Sequence, residues 1–146
     1  MFKHILVPTD GSVVAKIAID AAVAFAKETG AKLTGYYALP GQPYTYSVDS
    51  EADRAIRERY AALVREEAEN AVNVIRLEAK EAGVPFKALI AVAESPYEGI
   101  IKAAKQSECD VIFMASNGRK GLPEQMLGSV AHKVLQHSKI PVLVYR

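Results

Sequence analysis

Two stretches of this chain hold residue types at spacings that can do chemistry. The longer runs Ala115-Ser116-Asn117-Gly118-Arg119-Lys120-Gly121-Leu122-Pro123-Glu124-Gln125-Met126-Leu127-Gly128-Ser129-Val130. Its glycines let backbone N–H groups approach phosphate oxygens with no Cβ in the way. Gly128 and Ser129 can offer N–H groups and a hydroxyl at a helix start, where the helix dipole favours an anion. Arg119 and Lys120 can add charge, while a surface turn with solvated bases is the competing reading of the same residues. The stretch is not a Walker A loop, because no Gly-Lys-Ser/Thr follows at the required distance. The shorter stretch is Pro8-Thr9-Asp10-Gly11-Ser12. Asp10 can accept a hydrogen bond from a ribose or a base, or it can serve as an ordinary turn and cap residue.

Both stretches follow runs that read as buried strands. Ile5-Leu6-Val7, Val111-Ile112-Phe113-Met114 and Val142–Tyr145 are continuously apolar and rich in β-branched residues, and residues 33–39 and Phe86–Val92 are weaker examples. Between the strands, apolar residues recur at three and four: Val14, Ala18, Ala21, Phe25, then Val64, Ala68, Ala71, Ile75, Ala79. Gly30 and Gly83 sit where a helix end needs a left-handed residue, and Ser95-Pro96-Tyr97-Glu98 has the form of a capping box with Pro at the first helical position. The second helix, roughly Glu51–Ala82, is long enough that a later start or a bend is expected. The order β-α-β-α-β-α-β-α-β demands parallel strands, right-handed crossovers and helices on both faces. In such sheets the ligand crevice lies beyond the carboxyl ends of the strands, where chain order reverses, which is where both stretches fall.

Composition narrows the setting. With 146 residues, half of them apolar, the chain is expected to form one α/β domain over 1–146 with a core of its own. Eighteen Lys and Arg against 17 Asp and Glu leave a net charge of +1, so no overall field argues for nucleic acid or a membrane surface. No stretch approaches the roughly 18 apolar residues of a membrane span. Met1-Phe2-Lys3-His4 runs directly into a strand, so no signal peptide is expected and a reducing, cytoplasmic location is. A lone Cys109 offers no disulfide or redox pair, and a half-buried packing role is expected for it. His4, His132 and His137 lack acidic partners at metal-ligand spacing and read as surface or cap-proximal histidines. Tyr36, Tyr37, Tyr44 and Tyr46 can wall a base pocket or close the sheet edge, and packing is expected of most.

Gly118, nine intervening residues, then Gly128-Ser129, together with Lys3-His4-Ile5-Leu6-Val7-Pro8-Thr9-Asp10-Gly11-Ser12 at the start and Pro141-Val142-Leu143-Val144 at the end, resemble the universal stress protein family across essentially the whole chain. The resemblance implies an open five-stranded parallel sheet in the order 3-2-1-4-5 with helices on both faces. It also implies ATP in a cleft at the ends of strands one, two and four, with Mg or Mn carried by the phosphates. Position by position it places Pro8, Thr9 and Asp10 at the adenosine, Ala38 at the adenine edge and Met114 beneath the ribose. The second glycine of the family pattern falls on Gly118, the third on Gly128 and its hydroxyl residue on Ser129, with the Val130 N–H at the phosphates; Arg119 is counted with the same candidate site for the charge it can add. Ala115 stands where the pattern has its first glycine, and its methyl is expected to press on a ribose or phosphate packed against that Cα.

The expected function is therefore a homodimeric stress-response regulator or sensor that binds ATP and at most hydrolyses it slowly, since no general base is placed near the phosphate segment. The family's dimer contact implies pairing through residues 140–145, from Ile140 to Tyr145, if that strand is a sheet edge. Ala115 keeps open a second reading, a family member that holds no nucleotide and works through a protein partner. Receiver domains, flavodoxins and pyrophosphatase-type ligases fit less well. Asp10 has no acidic neighbour, and the loop after strand one is neither Ser/Thr-rich nor Gly-rich.

Overall fold

The computed structural model describes residues 1–41, 50–118 and 126–146. Its elements are β1 (His4–Pro8), α1 (Val13–Thr29), β2 (Lys32–Leu39), α2 (Glu51–Ala82), β3 (Phe86–Val92), α3 (Pro96–Gln106), β4 (Val111–Ala115), α4 (Ser129–His137) and β5 (Val142–Tyr145). The strands form one parallel sheet in the order β3-β2-β1-β4-β5, as expected. Strand pleating sends alternate residues to opposite faces. Ile5, Val7, Val111 and Phe113 meet Ile19, Val23, Ile75 and Ala79 of α1 and α2. Leu6, Tyr36, Ile112 and Met114 meet Ile100, Ala104, Ala131 and Val134 of α3 and α4. Burial on both faces is why these strands read as unbroken apolar runs.

Most helix ends follow the sequence punctuation. Ser12 accepts the Ala15 N–H at 3.1 Å, Ser50 accepts the Asp53 N–H at 3.2 Å, and Gly30 and Gly83 take left-handed φ values of 73° and 70°. The capping box at Ser95 does not close. Pro96 opens α3, but the Ser95 side chain makes no cap bond, and the Glu98 carboxylate instead accepts the Tyr97 hydroxyl at 3.1 Å. A competing side-chain donor one residue away has taken the group that the box needs.

α2 neither starts late nor breaks at a loop. It runs 32 residues, and residues 51–63 are exposed throughout, so about 20 Å of helix stands clear of the sheet.

His4 corrects the expectation of a surface histidine. It is buried, its Nε2 lies 2.6 Å from Thr34 Oγ1, and its N–H and that of Lys3 donate to the Asp110 carboxylate at 3.2 and 2.8 Å. Cys109, next to Asp110 in sequence, is buried rather than half-buried, and burial pushes its thiol up to about 11. Burial, reinforced by Lys32, holds the His4 imidazole below its ordinary 6.5. The fold therefore favours neutral His4, while the unfolded chain takes up a proton as pH falls through 6.5. Stability is lost in that direction, by at most about 1.4 kcal/mol per pH unit for the one proton, and is unaffected by this group above it. Urea unfolding of the unaltered protein and a His4→Asn variant between pH 5 and pH 7.5 is expected to show the extra acid-side slope only in the former.

Candidate functional site

The chain passes from β1 through α1 to β2 on one side of the sheet centre, and later from β3 through α3 to β4 on the other, so the order reverses between β1 and β4. Beyond their carboxyl ends lies a cleft of about 520 Å³. Pro8, Thr9 and Asp10 enter it from β1, Tyr36, Tyr37 and Ala38 from β2, and Met114, Ala115, Ser116, Asn117 and Gly118 from β4. Gly128, Ser129, Val130, Ala131 and Lys133 close it from α4, and Ser95, Pro96, Tyr97 and Ile100 from α3. Every expected site residue among the described ones thus lies on one cleft. Arg119, with Lys120, Tyr44 and Tyr46, falls outside the described residues.

The β1 end is fixed by its own side chains. The Thr9 N–H donates to Tyr36 O at 2.9 Å, Thr9 Oγ1 accepts the Gly11 N–H at 3.1 Å, and Asp10 Oδ1 accepts the Ser12 N–H at 2.9 Å. Asp10 therefore performs the turn role, and its second oxygen faces Gly118. A Cβ at residue 118 would stand 2.8 Å from Asp10 Oδ2. This gives Gly118 a steric reason to be glycine that does not depend on any ligand.

Gly128 is held as closely. Its N–H donates to Ser116 O at 2.7 Å, its carbonyl accepts the His132 N–H at 2.9 Å, and a Cβ there would lie 3.0 Å from Ser116 O and 3.3 Å from Asn117 Oδ1. As the N-cap of α4 it supplies no side-chain bond to the first turn, so that turn's N–H groups face the cleft without a capping oxygen. Asn117 Oδ1 is a buried acceptor with no partner, the one such side-chain oxygen or nitrogen among the described residues. Tyr36 and Tyr37 both pack and line the cleft, and burial raises the Tyr36 hydroxyl above its ordinary value of 10.0.

Ala115 lines the cleft from the end of β4. Val111 and Phe113 enter the α1/α2 core while Ile112 and Met114 enter the α3/α4 core, so alternation turns the Ala115 methyl away from the Met114 side.

Sequence reasoning missed the α3 contribution and Lys133. Two signals were available. α3 begins beyond the carboxyl end of β3, where the crevice rule points, and Lys133 is four residues after Ser129, hence on the same helix face.

A parallel sheet in this order, with helices on both faces and a crevice at its switch point, defines a doubly wound α/β protein. The model of the universal stress protein family matches residues 1–146, and the chain belongs to that family. It is 36% identical to universal stress protein YxiE of Bacillus subtilis, with all of both chains covered. Among solved structures it resembles MJ0577 of Methanocaldococcus jannaschii, at 31% identity and a TM-score of 0.81, over 99% of this chain and 95% of that one. A universal stress protein in complex with cAMP shares the fold at 22% identity and a TM-score of 0.72, over 99% of this chain and 97% of that one.

Replacing Gly118 by Val drives a branched carbon into the Asp10 carboxylate and breaks the turn that seats β1. Thermal and urea unfolding are expected to show a loss of about 1–3 kcal/mol.

Proposed function

We propose that this chain binds ATP in the cleft at the ends of β1, β2 and β4 and acts in the cytoplasm as a homodimeric stress-response regulator or sensor. The observation that carries this reading is the start of α4, which opens into the cleft with no side-chain cap and so offers its first-turn N–H groups to phosphate oxygens. Gly128, Ser129 and Val130 take the phosphates, Met114 packs beneath the ribose, and the Ala38 backbone meets the adenine edge. Asn117 Oδ1, buried and unpartnered, accepts a hydrogen bond from a ligand donor. The fold is also that of a universal stress protein solved with cAMP and of one from Archaeoglobus fulgidus solved with dAMP.

The Ser129 hydroxyl would be the protein contact for a divalent ion, Mg or Mn, carried by the phosphates, which would neutralise phosphate charge there. Hydrolysis is slow at best. Asp10, the acid lining the cleft among the described residues, already accepts the Ser12 N–H, and no other described lining residue is a carboxylate or histidine that could serve as a general base. β5 is an edge strand paired with β4 on one side, and residues 140–145 offer its other side to a second copy.

Ala115 supports a second reading, a family member that works without nucleotide. Its methyl points away from the Met114 side, which favours the first. Calorimetric titration of the nucleotide-stripped protein with Mg-ATP, with ADP and AMP as comparators, decides between them. Micromolar binding that a folded Gly128→Val variant loses is the expected outcome. No heat at millimolar ATP overturns nucleotide binding and moves the function to protein contacts.

A further inference from the structure

The charged side chains that line the cleft among the described residues are Asp10 and Lys133. Lys133 stands one turn after Ser129 on α4, and long helical side chains lean toward the helix N-terminus, so its stem runs toward the phosphate-facing turn. Its ammonium lies 5.5 Å from the centroid of the Tyr97 ring, where the π face attracts a cation. That ring is itself held. Its centroid is 5.0 Å from that of His137 at a tilt of 37°, and its hydroxyl donates to Glu98 Oε1. Among the described residues the ammonium forms no ion pair with a carboxylate. A positive charge is thus parked on an aromatic face in the cleft wall, one turn from a helix start that favours anions, and among the described residues no carboxylate lies within ion-pair distance of it.

We infer that Lys133 is the group that makes this cleft prefer phosphorylated nucleosides over the bare nucleoside, with Tyr97 positioning it. The inference rests on the nucleotide reading above and adds to it the residue that reads charge. Helix dipole and backbone N–H groups supply only partial charges, whereas Lys133 supplies a full one on a stem that can swing from the ring to a phosphate oxygen. The nucleoside end of a ligand meets Met114, Ala38 and Thr9 and owes nothing to Lys133.

The test is a pair of titrations, Mg-ATP and adenosine, on the unaltered protein, Lys133→Met and Lys133→Arg, each at low and moderate salt. Lys133→Met is expected to weaken ATP about tenfold, the scale of one lost charge-assisted contact, leave adenosine unchanged and flatten the salt dependence for ATP. Lys133→Arg is expected to retain most of the preference, and Tyr97→Leu to lose part of it with Lys133 still present. An unchanged ratio of ATP to adenosine affinity in Lys133→Met, with adenosine still bound, overturns the inference and leaves the nucleotide reading standing. If neither ligand binds the unaltered protein, the nucleotide reading falls and the inference falls with it.

Discussion

β1 is paired on both sides and pinned at both ends, and the remaining structure takes its alignment from that strand. At its start the Asp110 carboxylate gathers the N–H groups of Lys3 and His4, tying β1 to the entrance of β4 across the point where chain order reverses. At its end the Thr9 N–H reaches Tyr36 O, tying the first cleft residue to β2. These long-range ties close large loops, and a rigid strand between them fixes the relative height of the two loops that face each other over the sheet. Asp10 can then lie against Gly118 with no room for a side chain between them.

The cleft follows from that alignment together with the absence of a cap on α4. A helix that begins on Ser or Asp satisfies its first turn internally, as α1 does with Ser12. α4 begins on Gly128, whose N–H is used to hold the loop to Ser116, so the demand for an acceptor at its first turn is passed to whatever enters the cleft. An acceptor-rich ligand meets that demand, and the apolar floor of Met114 and Ile100 suits a flat base or sugar better than a bare ion. Binding would therefore draw on two unlike contributions from two ends of one cleft.

Much of this was legible in the residues because the governing constraints are local or periodic. Continuous apolar runs mark β1 and β4, which are covered on both faces, whereas the run Val142–Tyr145 proves to be a half-buried edge strand, and Gly30, Gly83, Ser12 and Pro96 mark helix ends through local demands that hold wherever they occur. The glycine spacing of the β4–α4 segment pointed to the candidate cleft, but what requires glycine at Gly118 and Gly128 is the close approach of Asp10 and Ser116 rather than a local conformational demand. What escaped depends on which residues become neighbours. His4 looks like any exposed strand-start histidine until β1 pairs with β2, where it stands opposite Lys32 and its ring reaches Thr34 two residues along. Ser95 and Glu98 match a capping box until the Tyr97 hydroxyl claims the carboxylate. Lys133 shares the helix face of Ser129 in sequence, but nothing local says that α3 brings an aromatic ring beneath its ammonium.

α2 joins two thermodynamic regimes in one uninterrupted helix. Its second half buries Ala68, Val72, Ile75 and Ala79 and cannot open without exposing core, whereas Ile56, Tyr60 and Leu63 in the first half are already 66%, 51% and 57% exposed. Unwinding residues 51–63 therefore breaks hydrogen bonds but uncovers almost no apolar surface, so it carries an enthalpy with scarcely any heat-capacity change. A segment of this length without tertiary support is governed by helix–coil equilibrium. Its amides would exchange through fraying from Glu51 inward, while those of the second half wait for global opening. Heating would produce a shallow, nearly linear loss of helicity well below the cooperative transition, a signature of one helix obeying two laws.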